Sequence, residues 1–65
     1  MKHYEILVSL TELASADGNN KYNITDFAFG FIPFKNGENK SEEVGNDFFN
    51  IARWLINEAE ENLKN

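Results

Sequence analysis

Apolar and polar residues separate into two flanks along the last third of the chain, from Ser41 to Asn65. On a helix that turns by about 100° per residue, the apolar positions fall on one side. They are Val44, Phe48, Ile51, Ala52, Leu55, Ile56, Ala59 and Leu63, with Phe49 at the border. The pattern predicts one long amphipathic helix that begins near an N-cap at Asn39 or Ser41.

The opposite flank of this helix combines the only tryptophan of the chain with carboxylates. Asp47, Trp54, Glu58 and Glu61 recur at helical spacing there. Tryptophan is enriched in the central residues of protein interfaces, and carboxylates attract Arg or Lys on a partner. We therefore predict that these four residues bind a partner, and that Trp54→Ala combined with Glu58→Lys abolishes binding without unfolding the chain. The alternative is that Trp54 covers the edge of its own sheet or packs on a second subunit.

The first segment, Tyr4 to Leu10, alternates between apolar and polar positions and favours a β-strand. A helix is the alternative, because Ile6, Leu10, Leu13 and Ala14 also fit one helical face. The run Asp17-Gly18-Asn19-Asn20 then predicts the tip of a hairpin, with the return strand starting at Tyr22.

Three phenylalanines, Phe27, Phe29 and Phe31, alternate with small residues in the next segment. Either one strand runs from Tyr22 to Ile32, or a kink near Asp26 divides it. The small residues Ala28 and Gly30 would let a helix or a second subunit approach the backbone closely. Pro33 marks a sheet edge or a strand end, and a polar loop follows from Lys35 to Lys40.

These elements predict a single α+β domain over residues 1–65. Its antiparallel sheet has two or three strands, in the order ββ(β)α, with the C-terminal helix packed on it. One helix covers only one face of a sheet, and this chain offers apolar groups for both. We therefore expect a homo-oligomer, a dimer or larger, that associates through Phe27, Phe29 and Phe31. The alternative is that these residues close around a single core.

The chain is acidic, with 11 acidic and 6 basic residues and a net charge of −5. This charge disfavours direct binding to nucleic acid and favours a protein partner with a basic surface. Cysteine is absent and His3 is the only histidine, so we expect no disulfide, metal site or cofactor. The serines have only His3 as a possible base, and the glutamates lie on solvated flanks. The sequence therefore predicts a protein that is not an enzyme.

No signal peptide is recognised, and no apolar run approaches the roughly 20 residues of a membrane span. Ten asparagines suggest an AT-rich genome, such as that of a low-GC bacterium or its phage. We therefore expect a location in the cytoplasm of a bacterial or phage-infected cell, without membrane association.

Several short stretches resemble the N-terminal domain of HicB-type antitoxins. They are Tyr4-Glu5-Ile6, Asp17-Gly18-Asn19 before Tyr22-Asn23-Ile24, and Gly37-Glu38 before Ser41-Glu42-Glu43-Val44. The resemblance implies a three-stranded sheet with one packed helix that forms multimers and neutralises a small ribonuclease toxin. No Pro-Asp pair stands at Thr25-Asp26, where that family has one after its second strand.

Two functional hypotheses follow. The first is an inhibitor or antitoxin-like protein of phage or mobile-element (anti-defence) type. Its carboxylate row would imitate DNA phosphates and block a nuclease or another nucleic-acid-binding enzyme. The second is a homo-oligomer that sequesters a small molecule such as a nucleotide between subunits. Its basic groups would come from Lys2, His3, Lys21, Lys35 and Arg53.

Overall fold

The computed structural model describes residues 2–64, so Asn65, the last residue of the predicted C-terminal helix, lies outside the described residues. The first described element is helix α1 (Lys2–Ala14), in the segment whose alternation favoured a strand. The strand prediction is wrong and its helical alternative is correct. Leu7, Thr11 and Ala14, spaced by four and three residues, form the buried face of α1. The Thr11 hydroxyl donates to the Val8 carbonyl at 2.6 Å, which satisfies the one buried polar side chain of this helix.

The predicted turn at Asp17 to Asn20 is present, but it follows a helix and is not the tip of a hairpin. A short 3₁₀ turn (Ser15–Asp17) ends at Gly18, which has a φ of +77°. The Asp17 carboxylate accepts hydrogen bonds from the backbone N–H groups of Asn19 and Asn20, at 3.0 and 3.3 Å. This local turn redirects the chain from α1 into the sheet.

The sheet has three antiparallel strands in the order β1 (Tyr22–Phe27), β2 (Gly30–Lys35) and β3 (Glu38–Asn39). Ala28 and Phe29 connect the first two strands. Asn36 and Gly37, with φ of +54° and +83°, connect the second pair, as Asn-Gly does in type I′ hairpins. The α+β class and the three-stranded antiparallel sheet are thus confirmed.

The three phenylalanines do not share a face, because the turn at residues 28–29 interrupts their alternation. In the β1–β2 register Asp26 lies opposite Phe31 and Phe27 lies opposite Gly30. Phe31 is buried in the core of its own chain, whereas Phe27 lies on the other face and Phe29, 92% exposed, stands at the turn. The prediction that Phe27, Phe29 and Phe31 form one self-association surface is therefore wrong for Phe31, which is unavailable to a partner.

The predicted helix from Ser41 is divided into two helices, α2 (Ser41–Val44) and α3 (Phe48–Leu63). The break lies at Gly45, whose φ of +93° ends α2. Asp47 is the N-cap of α3, and its side chain accepts a hydrogen bond from the Asn50 N–H at 3.1 Å. The long helix therefore starts at neither Asn39 nor Ser41, while its packing against the sheet is confirmed.

The core lies between the sheet and a layer of two helices. Leu7 of α1 and Ile51 and Leu55 of α3 are fully buried, and Tyr22, Ile24, Phe31 and Pro33 contribute from one face of the sheet. The His3 and Phe48 rings stack at 4.2 Å, and Asn62 Nδ2 donates to the Ala14 carbonyl at 3.0 Å. Because these contacts join the two starts and the two ends of the helices, α1 and α3 run parallel. Among residues 2–64 no helix combines the length and apolarity needed to cross a bilayer.

The loop between α2 and α3 is fastened to the start of β2. The Phe31 N–H donates to the Asn46 carbonyl at 3.0 Å, and Asn46 Nδ2 donates to the Phe31 carbonyl at 2.9 Å. A Cβ atom at Gly30 would overlap that same Asn46 carbonyl oxygen. Other backbone does approach Gly30 closely, but it is the loop between α2 and α3 of the same chain, neither a helix nor a second subunit.

Candidate binding surface around Trp54

Trp54 is half-buried on α3, with one side of its indole against the sheet. Its ring meets the Tyr22 ring edge to face, with the centroids 5.6 Å apart and the planes at 71°. This contact matches the alternative interpretation, in which the tryptophan covers its own sheet. The part of the indole that does not contact Tyr22 remains open to a ligand.

The open side of Trp54 forms a wall of a surface hollow of about 430 Å³. Val44 supplies the other apolar wall, and the remaining lining residues are Glu43, Asn50, Arg53 and Asn57. The hollow therefore combines an apolar base with two side-chain amides and one charge of each sign. Such a mixture suits a protein side chain or a peptide better than a strongly charged small molecule.

Glu58, predicted to contact a partner, is instead engaged inside the chain. Its Oε1 atom accepts a hydrogen bond of 2.6 Å from the Tyr22 hydroxyl and lies 2.8 Å from Lys35 Nζ. Asn62 Nδ2 donates to the same tyrosine oxygen at 3.0 Å. We call Tyr22, Lys35, Glu58 and Asn62 the tyrosine cluster. It fastens α3 to both long strands, so the assignment of Glu58 as a partner contact does not fit its surroundings.

The electrostatics of the tyrosine cluster stabilise the charged pair and the neutral phenol. Burial alone would raise the pKa of Glu58, but the hydrogen bonds from Lys35 and Tyr22 outweigh burial and lower the pKa. The hydrogen bond to Glu58 raises the pKa of Lys35 against the opposing effect of burial. Burial, followed by the Glu58 hydrogen bond, raises the pKa of Tyr22. A carboxylate with a lowered pKa is a poor proton shuttle near neutral pH.

The remaining predicted contact residues have different surroundings. Asp47 caps α3, and Glu61 is exposed with its carboxylate 3.3 Å from Lys64 Nζ. Of the four residues, only Trp54 lines the hollow. Sequence reasoning missed Asn50 and Asn57, although they lie four residues before and three after Trp54 and so share its flank.

Three of the residues considered for catalysis have structural contacts. His3 stacks on Phe48, Ser15 Oγ accepts from the Tyr22 N–H at 3.2 Å, and Ser41 Oγ accepts from Asn46 Nδ2 at 3.0 Å. Within residues 2–64, no three His, Cys, Asp or Glu side chains are grouped closely enough to hold a metal ion. Lys35 is paired with Glu58, so it is not free to hold a nucleotide phosphate.

The tyrosine cluster predicts a specific dependence of stability on pH. The pKa of Glu58 is lower in the folded chain than its ordinary value of 4.5. The contribution of Glu58 to the free energy of unfolding is therefore complete above pH 4.5, and it declines as the pH falls through the folded-state pKa. The raised values of Tyr22 and Lys35 predict a second loss of stability above about pH 10. Urea unfolding measures the free energy of unfolding of the wild type and of Glu58→Gln. The difference between the two should become smaller as the pH is lowered to about 3.

A matched control is Glu61→Gln, which makes the same chemical change on an exposed side chain of α3. Its unfolding free energy at neutral pH should stay within about 0.5 kcal/mol of the wild type. A Glu58→Gln variant that keeps the full acid dependence of the wild type would contradict the assigned role of Glu58.

A comparison with known proteins gives no match: no family model, no curated protein and no solved structure is significantly similar to this chain.

Proposed function

We propose that this chain is a non-enzymatic binding protein, inhibitor-like or antitoxin-like, that blocks a partner protein through the surface around Trp54. The observation that supports the proposal is the hollow itself, in which an indole lies open beside exposed polar groups. A half-buried tryptophan is a rigid anchor, because its own chain already holds one side of the ring. Little side-chain entropy is then lost when a partner covers the other side.

The charges around the hollow indicate the kind of partner. Exposed carboxylates of Glu42, Glu43 and Asp47 lie on α2 and at the start of α3, and Glu61 lies further along α3. Lys40 is close to this group, but its ammonium is held by Glu38 at 3.1 Å and by Glu43 at 3.6 Å. The complementary surface carries Arg or Lys around an apolar side chain, which would enter between Val44 and Trp54. A nuclease or another protein with a basic substrate groove has this character.

The imitation of DNA phosphates by a regular carboxylate row is weaker than the sequence suggested. Asp47 and Glu58 are held by contacts within the chain, so the spacing of the row is interrupted. The proposed recognition therefore depends on one aromatic anchor with acidic groups at its rim. Rim charges accelerate association and make it sensitive to salt more than they slow dissociation.

A pair of charge reversals tests the proposal. Glu43→Lys with Glu61→Lys should weaken binding to the partner at least about tenfold, mainly through slower association, because rim attraction becomes repulsion. The partner is first isolated by chemical cross-linking in cells and purified. Affinity and association rate are then measured by surface plasmon resonance at two salt concentrations.

The matched control is Glu5→Lys with Glu12→Lys, which makes the same change in net charge on exposed positions of α1. This variant should bind within about twofold of the wild type, apart from the general effect of net charge. Equal loss of affinity in both variants would show that only net charge matters and would overturn the assignment of the surface around Trp54. Catalytic turnover by the isolated chain would overturn the non-enzymatic role.

A further inference from the structure

Large apolar side chains remain exposed on the helix layer, and they form two regular stripes. Ile6 and Leu13 lie seven residues apart on α1, and Phe49, Ile56 and Leu63 lie seven apart on α3. Their exposed fractions range from 44% to 68%. A repeat of seven residues keeps side chains on one side of a helix, as in helix-to-helix packing. This regularity distinguishes the stripes from scattered surface leucines.

The two stripes face the same direction, away from the sheet. On α3, Trp54 and Glu58 contact the sheet, while Phe48 and Asn62 contact α1. At about 100° per residue, Ile56 points away from the sheet, opposite Trp54 and Glu58. The side of α3 that contacts α1 lies between these two directions. The same construction from His3 and Ala14 places Ile6 and Leu13 on the outer side of α1. We call this surface, made by Ile6, Leu13, Phe49, Ile56 and Leu63, the outer helix face.

The outer helix face has a symmetric pattern. On α3, Phe49 and Leu63 are equally far from Ile56, and on α1 the midpoint of Ile6 and Leu13 lies next to Leu10. The His3–Phe48 contact places Ile56 level with Thr11, and the Ala14–Asn62 bond places it level with Val8. The average of the two places Ile56 level with the midpoint of Ile6 and Leu13. A two-fold axis through Ile56, perpendicular to the helices, therefore brings Phe49 onto Leu63 of the partner subunit and Ile6 onto Leu13 of the partner subunit.

The charges beside the α3 stripe obey the same symmetry. Arg53 and Glu60 stand three residues before and four after Ile56, and both are exposed. Neither forms an ion pair with the residues that the structure describes. About the axis through Ile56, each Arg53 meets Glu60 of the partner subunit, which makes two ion pairs from four otherwise unpaired charges. The charges favour this antiparallel arrangement over a parallel one, which would place like charges together.

The size of the outer helix face is compatible with a small dimer. The 16 residues of α3 extend over about 24 Å, and a pair of packed helices is about 20 Å wide. The flat area is then roughly 480 Å² per subunit, before side-chain relief increases it, whereas the smaller specific interfaces bury about 600 Å² per partner. A small interface of this kind predicts a dimer that dissociates on dilution.

We infer that two copies of this chain dimerise through the outer helix face, with each α3 antiparallel to its copy and Ile56 on the two-fold axis. The inference does not rest on the proposed function, because none of the five apolar residues of the outer helix face lines the hollow beside Trp54, although Arg53 borders both surfaces. It relocates self-association from the phenylalanines of the sheet to the helices. The dimer covers the five exposed apolar side chains that recur at intervals of seven residues on α1 and α3.

Charge reversal tests the pairing. Arg53→Glu alone and Glu60→Arg alone each place like charges across the interface, and each should raise the dimer dissociation constant at least about tenfold in sedimentation equilibrium. A mixture of the two variants restores both ion pairs, so it should form a heterodimer of near wild-type affinity. The double variant Arg53→Glu with Glu60→Arg should also dimerise. Circular dichroism checks that every variant is folded.

Single cysteines test the position of the axis, since the chain has no cysteine of its own. Under mild oxidation Ile56→Cys should form a disulfide-linked dimer, because the axis brings both copies of position 56 together. Phe29→Cys, at a more exposed position in the turn of the sheet, is the control and should stay monomeric. A wild-type chain that sediments as a monomer at all concentrations would overturn the inference, as would faster cross-linking at position 29. Either result would leave the outer helix face to a different protein.

Discussion

Gly30→Ala is expected to destabilise the chain by about 3–5 kcal/mol, because strain in an unusual backbone conformation adds to a steric overlap. Gly30 has a φ of +152°, and the new Cβ would overlap the Asn46 carbonyl oxygen. That carbonyl also accepts from the Phe31 N–H, so it cannot retreat without losing a hydrogen bond. A 65-residue domain has a total stability of only roughly 3–10 kcal/mol. Urea unfolding monitored by tryptophan fluorescence measures the loss.

The matched control is Gly37→Ala. Gly37 also has a positive φ, +83°, but a Cβ there would meet no atom within 4 Å. This variant should lower the free energy of unfolding by about 1–2 kcal/mol, because only the strained backbone conformation contributes. The difference between the two variants then measures the contact with the α2–α3 loop. Equal losses would mean that Asn46 moves aside freely and that the loop is not fastened to β2 as described.

Glu58→Lys should destabilise the chain by about 2–4 kcal/mol. It removes the acceptor of the Tyr22 hydroxyl and places a second ammonium beside Lys35. Breaking a fully buried ion pair costs about 3–5 kcal/mol, and the partial exposure of Glu58 reduces that range through solvent screening. Thermal or urea unfolding at neutral pH measures the effect. The variant Trp54→Ala with Glu58→Lys, designed from the sequence to leave the fold intact, is therefore expected to unfold the chain.

Two further variants separate the causes. Glu58→Gln retains an acceptor for Tyr22 and should cost less, about 1–2 kcal/mol. Adding Lys35→Glu to Glu58→Lys recreates an ion pair of opposite orientation and should recover part of the loss. If the reversed pair is no more stable than Glu58→Lys alone, repulsion from Lys35 is not the cause of the destabilisation.

The sequence correctly predicted those elements in which the apolar residues follow a single period, either helical or alternating. The apolar flank around Ile51 and Leu55 has a helical period only, and it forms α3. The Tyr22 to Phe27 segment is β1, and the expected α+β class is confirmed. These elements are specified locally, so one sequence suffices to predict them.

The first segment was predicted wrongly because its residues satisfy two periods. Tyr4, Ile6, Val8 and Leu10 alternate, while Leu7, Thr11 and Ala14 form a helical face. Burial against α3 selects the helix, and that contact is not visible in a local window. Likewise the turn at Ala28 and Phe29 lacks the residues that usually mark hairpins, which made the phenylalanines look like one continuous row.

The candidate site was predicted only in part. Whether a side chain on α3 is available to a partner depends on its contacts with other elements, and spacing along the sequence does not show these contacts. Trp54 was singled out on a polar flank, and it lies between Tyr22 and the hollow. Glu58 has the same flank and spacing, yet it is engaged by Tyr22 and Lys35 from strands remote in sequence. Sequence spacing shows which residues share a side of α3 but not what lies opposite them.

The parallel packing of α1 and α3 has a consequence for synthesis on the ribosome. The bond from Asn62 to Ala14 joins positions 48 residues apart, and α1 contacts α3 more extensively than it contacts any other element. When only α1 and the strands of a nascent chain have emerged from the ribosome, Leu7 is still exposed to solvent, because Ile51 and Leu55 have not yet emerged. The core is therefore completed only after α3 has been translated and has left the ribosome.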